Sequence, residues 1–388
     1  MLLNPRHPIW LAGFRAFFSL ACLAGMILPL WWALIFSGNL PTLNQRLAGV
    51  QWHVHEMFYG FGWAVLGGFL LTSTKNWVNI RGYHGYALIW LALAWILERI
   101  TIALGENWPS PLFFIGANLF IGSIAAMLAW TLLRYRHQDS YRDNLIFVIM
   151  LPSFLLAKNL LLAGGEAFEA GEHMSLALFR LAFLVMLERT LTQFMKAAFS
   201  VQILRQPILD MSIKGLGLLL IGAPLLPATG VAAAGALLAL LLLIRLPFWH
   251  PLKAMQRIDI GIMYVGYLAI SGQLVMDAGS LWLGWQWTGS ASTHLFTLGA
   301  MGCVIPAMIM RISKGHTGRK VVFDSYDRGI LYLTVLALFV RVLLPQLAPT
   351  AYLACIHATA ALWLLIFGLI ARRYLPILSQ ARIDGRAH

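Results

Sequence analysis

Charge is what this sequence has least of: 11% of its 388 residues are Asp, Glu, Lys or Arg, against 60% hydrophobic residues. A water-soluble fold of this size cannot cover its surface with so few polar groups, so lipid is its main solvent. Cysteine is scarce as well. Cys22, Cys303 and Cys355 lie far apart inside apolar runs with no CxxC spacing, which excludes a disulfide scaffold, a cysteine zinc site and a ferredoxin-type cluster. Each reads as a small buried apolar side chain. Internal repeats, low-complexity tracts and a soluble domain are absent too. The net charge of +13 comes from Lys and Arg scattered singly between apolar runs, never as a dense stripe, which excludes nucleic acid as a partner.

What the chain does have is apolar length. A membrane helix needs roughly 20 apolar residues, and runs bounded by charge, Pro or Gly predict helices at 14–36, 50–74, 85–104, 111–133, 145–163, 174–199, 213–228, 231–249, 258–276, 292–312, 328–345 and 350–371. The first run is long enough to span and reads as a retained helix, not a cleaved leader. Pro224 to Gly230 separates the seventh and eighth runs, as a tight hairpin or as the break in one long helix. With both termini inside, the basic loop residues fall almost entirely on the cytoplasmic side. The outer loops keep only Arg46, Arg99 and Arg341 and are otherwise acidic, with Glu98, Glu106, Glu166, Glu169, Glu172 and Asp277. The expectation is all-α: a polytopic bundle of about 12 transmembrane helices, both termini cytoplasmic. It forms a single transmembrane domain over 1–388 in an inner membrane, with a short cytoplasmic tail at about 373–388.

That topology sorts the histidines. His7, His84, His137, His250, His316 and His388 fall on the cytoplasmic side, where solvated imidazole is ordinary. His53, His55, His173, His294 and His357 fall in the outer half, where polar groups at membrane depth tend to serve a purpose and imidazole suits haem iron and copper. In Trp52-His53-Val54-His55-Glu56-Met57 the two histidines lie about 200° apart around a helix and cannot share one metal without unwinding. His53 shares a face with Glu56 and Met57, a donor set for copper or a second centre; His55 shares its face with Tyr59. Either one ligates while the other hydrogen-bonds, or two centres flank this helix; the bland alternative is an interfacial anchor. His294 heads a run of small residues that lets a helix or a flat macrocycle approach closely, which pairs it with His55 as a bis-histidine haem site between the second and tenth helices. His357 either completes a copper site or hydrogen-bonds across the bundle.

Charges inside helices need partners. Lys158 and Arg180, at the depth of the outer histidines, either neutralise haem propionates or form structural ion pairs. Glu188 and Arg189 read as a buried pair or proton relay. The loop Met310-Arg311-Ile312-Ser313-Lys314-Gly315-His316-Thr317-Gly318-Arg319 lacks the Gly-Lys-Ser/Thr order of a phosphate loop and reads either as a turn tying two helix ends or as an anion or haem-edge contact.

The chain resembles the NnrS family, bacterial membrane proteins that carry haem and copper and protect against nitric oxide. The resemblance runs over most of the length. It rests on Gly13-Phe14-Arg15-Ala16-Phe17-Phe18, on Trp52-His53-Val54-His55-Glu56-Met57-Phe58-Tyr59-Gly60-Phe61, on His294-Leu295-Phe296-Thr297-Leu298-Gly299-Ala300-Met301-Gly302, and on Arg311 with Gly315-His316-Thr317-Gly318-Arg319. It departs from the family at Ala16 and Thr192, where relatives carry proline, and at Asp259, where many carry histidine. The resemblance implies haem, copper, nitric oxide as the partner and a role in nitrosative stress, with Arg15, Arg189, Arg311, His316 and Arg319 as motif residues. An oxidase-type binuclear centre is disfavoured by the lack of an adjacent His-His pair and of a His-Pro-Glu-Val-Tyr segment. Binding and redox turnover of nitric oxide both stay open; turnover needs electrons from quinol or another membrane donor, because no cytochrome c attachment motif is present. The competing expectations are a secondary transporter using Lys158, Arg180 and Glu188, and a metal-free scaffold.

Overall fold

The computed structural model describes residues 3–385. Arg386 and His388, both expected on the cytoplasmic side, lie outside the described residues. The rest is helical, with no strand among the described residues. We number the long helices α1 (Gly13–Phe36), α2 (Gly49–Trp77), α3 (Tyr86–Asn107), α4 (Ser110–Arg134), α5 (Arg142–Ala163), α6 (Glu166–Phe199), α7 (Pro207–Leu225), α8 (Ala228–Trp249), α9 (Ile258–Leu283), α10 (Ala291–Gly315), α11 (Ser325–Leu347) and α12 (Pro349–Leu378). Among the described residues, 11 are long and apolar enough to cross a membrane. The exception is α6, whose 34 residues include Glu166, Glu169, Glu172, Arg180, Glu188, Arg189 and Lys196. The chain is thus a multi-pass membrane protein, and α7 and α8 form the hairpin, not one broken helix.

Several charges expected in loops sit inside helices. Glu98 and Arg99 belong to α3, Asp277 to α9, Arg341 to α11 and Glu169 and Glu172 to α6; Glu98 is wholly buried. A charge near the end of an apolar run looks interfacial in sequence, but its side chain faces inward where neighbouring helices supply a countercharge. The last helix also continues past Arg373, so the tail begins after Leu378.

Among the described residues three helices contain π-helical segments, Glu56–Gly62 in α2, Leu295–Gly302 in α10 and Phe339–Leu343 in α11. Such segments add a residue to the turn and re-aim the side chains beside it, and they recur at functional sites. Two of them begin directly after His55 and His294.

The chain divides into two compact units. The first comprises the chain up to Gly171, Ile309–Val321 and the chain from Trp363 onward. Its α1 and α2 touch through glycine: a Cβ on Gly13 would lie 2.5 Å from Leu71 Cβ, and one on Gly68 would lie 2.7 Å from Phe17 Cβ. Buried Arg15 ties down the tail, its Nη1 donating to the carbonyls of Leu378 at 2.7 Å and Gln380 at 2.6 Å. The second unit comprises Glu172–Met308 and Val322–Leu362. Here α9 packs on α8 and α10, with Gly266 against Val304 and Gly299 against Ala269.

Candidate functional site

In the first unit, α2 is anchored at its start by Gln51, whose Nε2 donates to Leu161 O of α5 at 2.6 Å. The two histidines that follow diverge as their spacing predicts. His53 stays half-buried and stacks on Trp32, with ring centroids 4.5 Å apart and 10° between planes. His55 is wholly buried, its ring 5.5 Å from that of Tyr59.

Around His55 the chain buries a compact set of charges. His55 Nδ1 lies 3.0 Å from Glu56 Oε1, and Glu56 Oε2 is ion-paired with Arg99 Nε at 3.1 Å. Arg99 Nη2 reaches Glu98 Oε1 at 2.6 Å, and Lys158 Nζ reaches the same oxygen at 2.5 Å while also donating to Ala117 O. Gly60 makes room for this, since a Cβ there would lie 2.7 Å from Arg99 Nη1. Trp95 Nε1 donates to Gly60 O at 3.0 Å and carries Arg99 over its ring. Two acids face two bases, so the set is balanced when His55 is uncharged. That balance is what makes so many charges tolerable without water.

Several atoms in this set make no hydrogen bond, Glu98 Oε2 and Arg99 Nη1 among them, and one of them is on the histidine. His55 Nε2 has no hydrogen bond, and its nearest acid oxygen, Glu98 Oε1, is 3.8 Å away. A carboxylate accepting from Nδ1–H fixes the tautomer and leaves a lone pair on Nε2, the arrangement that prepares histidine as a metal ligand. His294 is prepared in the same way in the second unit: its Nδ1 lies 2.7 Å from Ser290 O, directly before a π-helical segment. Each imidazole, taken within its own unit, would therefore be a candidate ligand for haem iron.

The donors expected for copper fit less well. Both oxygens of Glu56 are engaged by His55 and Arg99, His53 is stacked on Trp32, Met57 is half-buried, and His357 lies half-buried on α12 in the second unit. Among the described residues no three His, Cys, Asp or Glu side chains are grouped to hold a metal ion.

The other motif residues have structural surroundings. Arg180 donates to Gln273 Oε1 at 2.7 Å, and its buried Nε has no hydrogen bond and suits a carboxylate. Glu188 is met by Arg205, by Lys214 at 2.9 Å and by Arg245 at 3.4 Å, with Asp210 completing the cluster; Arg189 is buried on the same helix. Arg311 is half-buried near the end of α10. Arg319 donates to Thr317 Oγ1 at 2.9 Å and Gln380 Oε1 at 3.2 Å. His316 packs against Phe14, and burial, reinforced by Lys75, Arg382 and Arg15, pushes its imidazole down to about 4.

Sequence reasoning missed the partners more than the histidines. Glu98-Arg99 interrupts the apolar run of α3 inside its predicted span, and Arg245 stands alone at the end of an apolar run; both were visible signals of inward-facing charge.

Largely helical and carrying a buried, charge-balanced histidine with a bare Nε2, the molecule is a polytopic membrane protein with a candidate imidazole site. The family described as NnrS protein matches residues 8–382, and the chain belongs to that family. Membership points to a membrane protein of the nitric oxide response. No curated protein matches the chain.

Proposed function

We propose that this chain is a bacterial inner-membrane haem protein that takes up nitric oxide at a histidine-ligated centre and so protects the cell from nitrosative stress. The observation that carries the proposal is the wholly buried His55, with Nδ1 held by Glu56 and Nε2 left bare. His294 is a separate candidate ligand, in the second unit.

The chain's own residues supply orientation and charge. Glu56 fixes the imidazole, and Arg99 holds Glu56 in turn. Glu98 and Lys158 close the set, so that a change of charge at His55 is met by fixed groups in place of water. Haem held by His55 would supply the iron that binds nitric oxide. That gas is small and apolar and arrives through lipid, so no polar channel is needed. Redox conversion would draw electrons from quinol or another membrane donor. The proposal is carried by haem and not by copper, because Glu56 and His53, two of the donors expected for copper, already have partners.

The test is an optical spectrum of detergent-purified protein from haem-replete cells, before and after anaerobic addition of nitric oxide. A Soret band that shifts on addition supports the proposal. Haem-free protein from cells that it nevertheless protects would overturn it.

A further inference from the structure

The first unit carries, at the opposite end from His55, a cleft that nitric oxide chemistry does not use. Along α2 the 19 residues from His55 to Thr74 rise about 28 Å, close to the thickness of the hydrocarbon core. There, between the end of α2, the turn at 80–84, the start of α3 and the end of α4, lies a half-open cleft of about 370 Å³. Its floor is apolar, with Leu71, Ala87 and Leu128, and Trp130 stands at its side 65% exposed. Its rim is cationic, with Lys75 and Arg81, and no Asp or Glu lines it. Among the described residues neither cation has an acid partner, and Arg382 adds to the positive field at Lys75. Thr74 lines the cleft at 2% exposure, with an Oγ1 that makes no hydrogen bond. An adjoining groove of about 430 Å³ shares Arg81 and His84 and adds Arg6 and the exposed Tyr86.

Two uncompensated cations, a buried hydroxyl without a partner, an apolar floor and exposed aromatic rings at headgroup depth describe one kind of occupant. We propose that this cleft is a binding site for an anionic phospholipid, the phosphodiester lying on Lys75 and Arg81 with the Thr74 hydroxyl donating to it, and an acyl chain running along Leu128 and Trp130. A zwitterionic lipid gains less here, because the cleft offers no carboxylate to its ammonium group. Lys and Arg near the bilayer surface each attract anionic lipid enough to change affinity about fivefold, so the pair accounts for roughly a 30-fold preference.

The full-length protein tests this in nanodiscs of phosphatidylglycerol mixed with phosphatidylcholine, with bound lipid read by native mass spectrometry after release into detergent. The expected result is retention of phosphatidylglycerol over phosphatidylcholine, reduced about fivefold in Arg81→Gln and roughly 30-fold in Lys75→Gln/Arg81→Gln. Thr74→Val should weaken retention without altering either charge. Arg81 is exposed, so its variant is expected to fold and carries the test even if changes at Lys75 or Thr74 impair folding. Equal retention of the two lipids by wild type, or retention unchanged in Arg81→Gln, overturns the proposal. Displacement of phosphatidylglycerol by inorganic phosphate as readily as by added lipid assigns the site to a free anion and overturns the lipid.

Discussion

Lys158→Met offers the sharpest test of the buried charge set. Methionine fills similar space without charge, so the substitution removes the cation that meets Glu98 Oε1 at 2.5 Å while both side chains remain wholly buried. What is left is two carboxylates, Glu56 and Glu98, sharing Arg99. Breaking a buried pair by removing one partner costs about 3–5 kcal/mol, since the survivor keeps its desolvation without its countercharge. For a sizeable domain that lowers the unfolding midpoint by roughly 5–15 °C. Adding Glu98→Gln returns the set to one acid and one base, and should recover about 1–3 kcal/mol of the loss, a coupling that two independent sites would not show. Intrinsic tryptophan fluorescence during heating in detergent reports both numbers. A single variant within about 1 °C of wild type, or a double variant no better than the single, would refute the claim that these charges form one dry, balanced group.

Stability should depend on pH through His316. Its imidazole is held down at about 4, below its ordinary value near 6.5, by burial and by Lys75, Arg382 and Arg15. Its contribution is therefore complete above pH 6.5 and lost as pH falls toward 4, where the unfolded chain binds a proton that the folded chain refuses. The effect is at most about 3 kcal/mol, less where water reaches the ring, and His316→Gln should flatten the midpoint against pH over that window. Gly60→Ala should push Arg99 away from Glu56, costing about 1–3 kcal/mol by unpairing a buried charge; an unchanged melting curve would mean that Arg99 has room to spare. Gly266→Val should overpack the contact with Val304, where even a Cβ would lie at 2.5 Å, and lower the midpoint by a similar amount.

Most of the helix spans were legible because a run of apolar residues long enough to cross lipid has few other uses. The divergence of His53 and His55 was legible for a geometric reason, as two residues on a helix differ by more than half a turn. The π-helical segments were not. Apart from Glu56 itself, Glu56–Gly62 and Leu295–Gly302 are largely apolar, so the inserted residue leaves no break in a hydrophobic pattern, although it falls within the two histidine-led motifs. Partners such as Glu98 with Lys158 were hidden because each charge was assigned to a loop or read alone within its helix, and their meeting depends on which faces of α3 and α5 turn inward. The division into two units was equally invisible: three of its four boundaries, at Gly171, Met308 and Leu362, fall inside helices, where no linker composition marks them. Copper was expected from a shared helix face, and the partners that Glu56 and His53 find there, Arg99 and Trp32, were not visible from that face.

The central claim is that His55 Nε2 is prepared for iron. The direct measurement is the haem content and reduced-minus-oxidised spectrum of His55→Ala beside wild type, each purified from haem-replete cells, with folding checked by the melting curve. Loss or displacement of the Soret band in a variant that still melts cooperatively is the predicted result, whereas a folded variant with wild-type haem content and an unchanged spectrum would contradict the account.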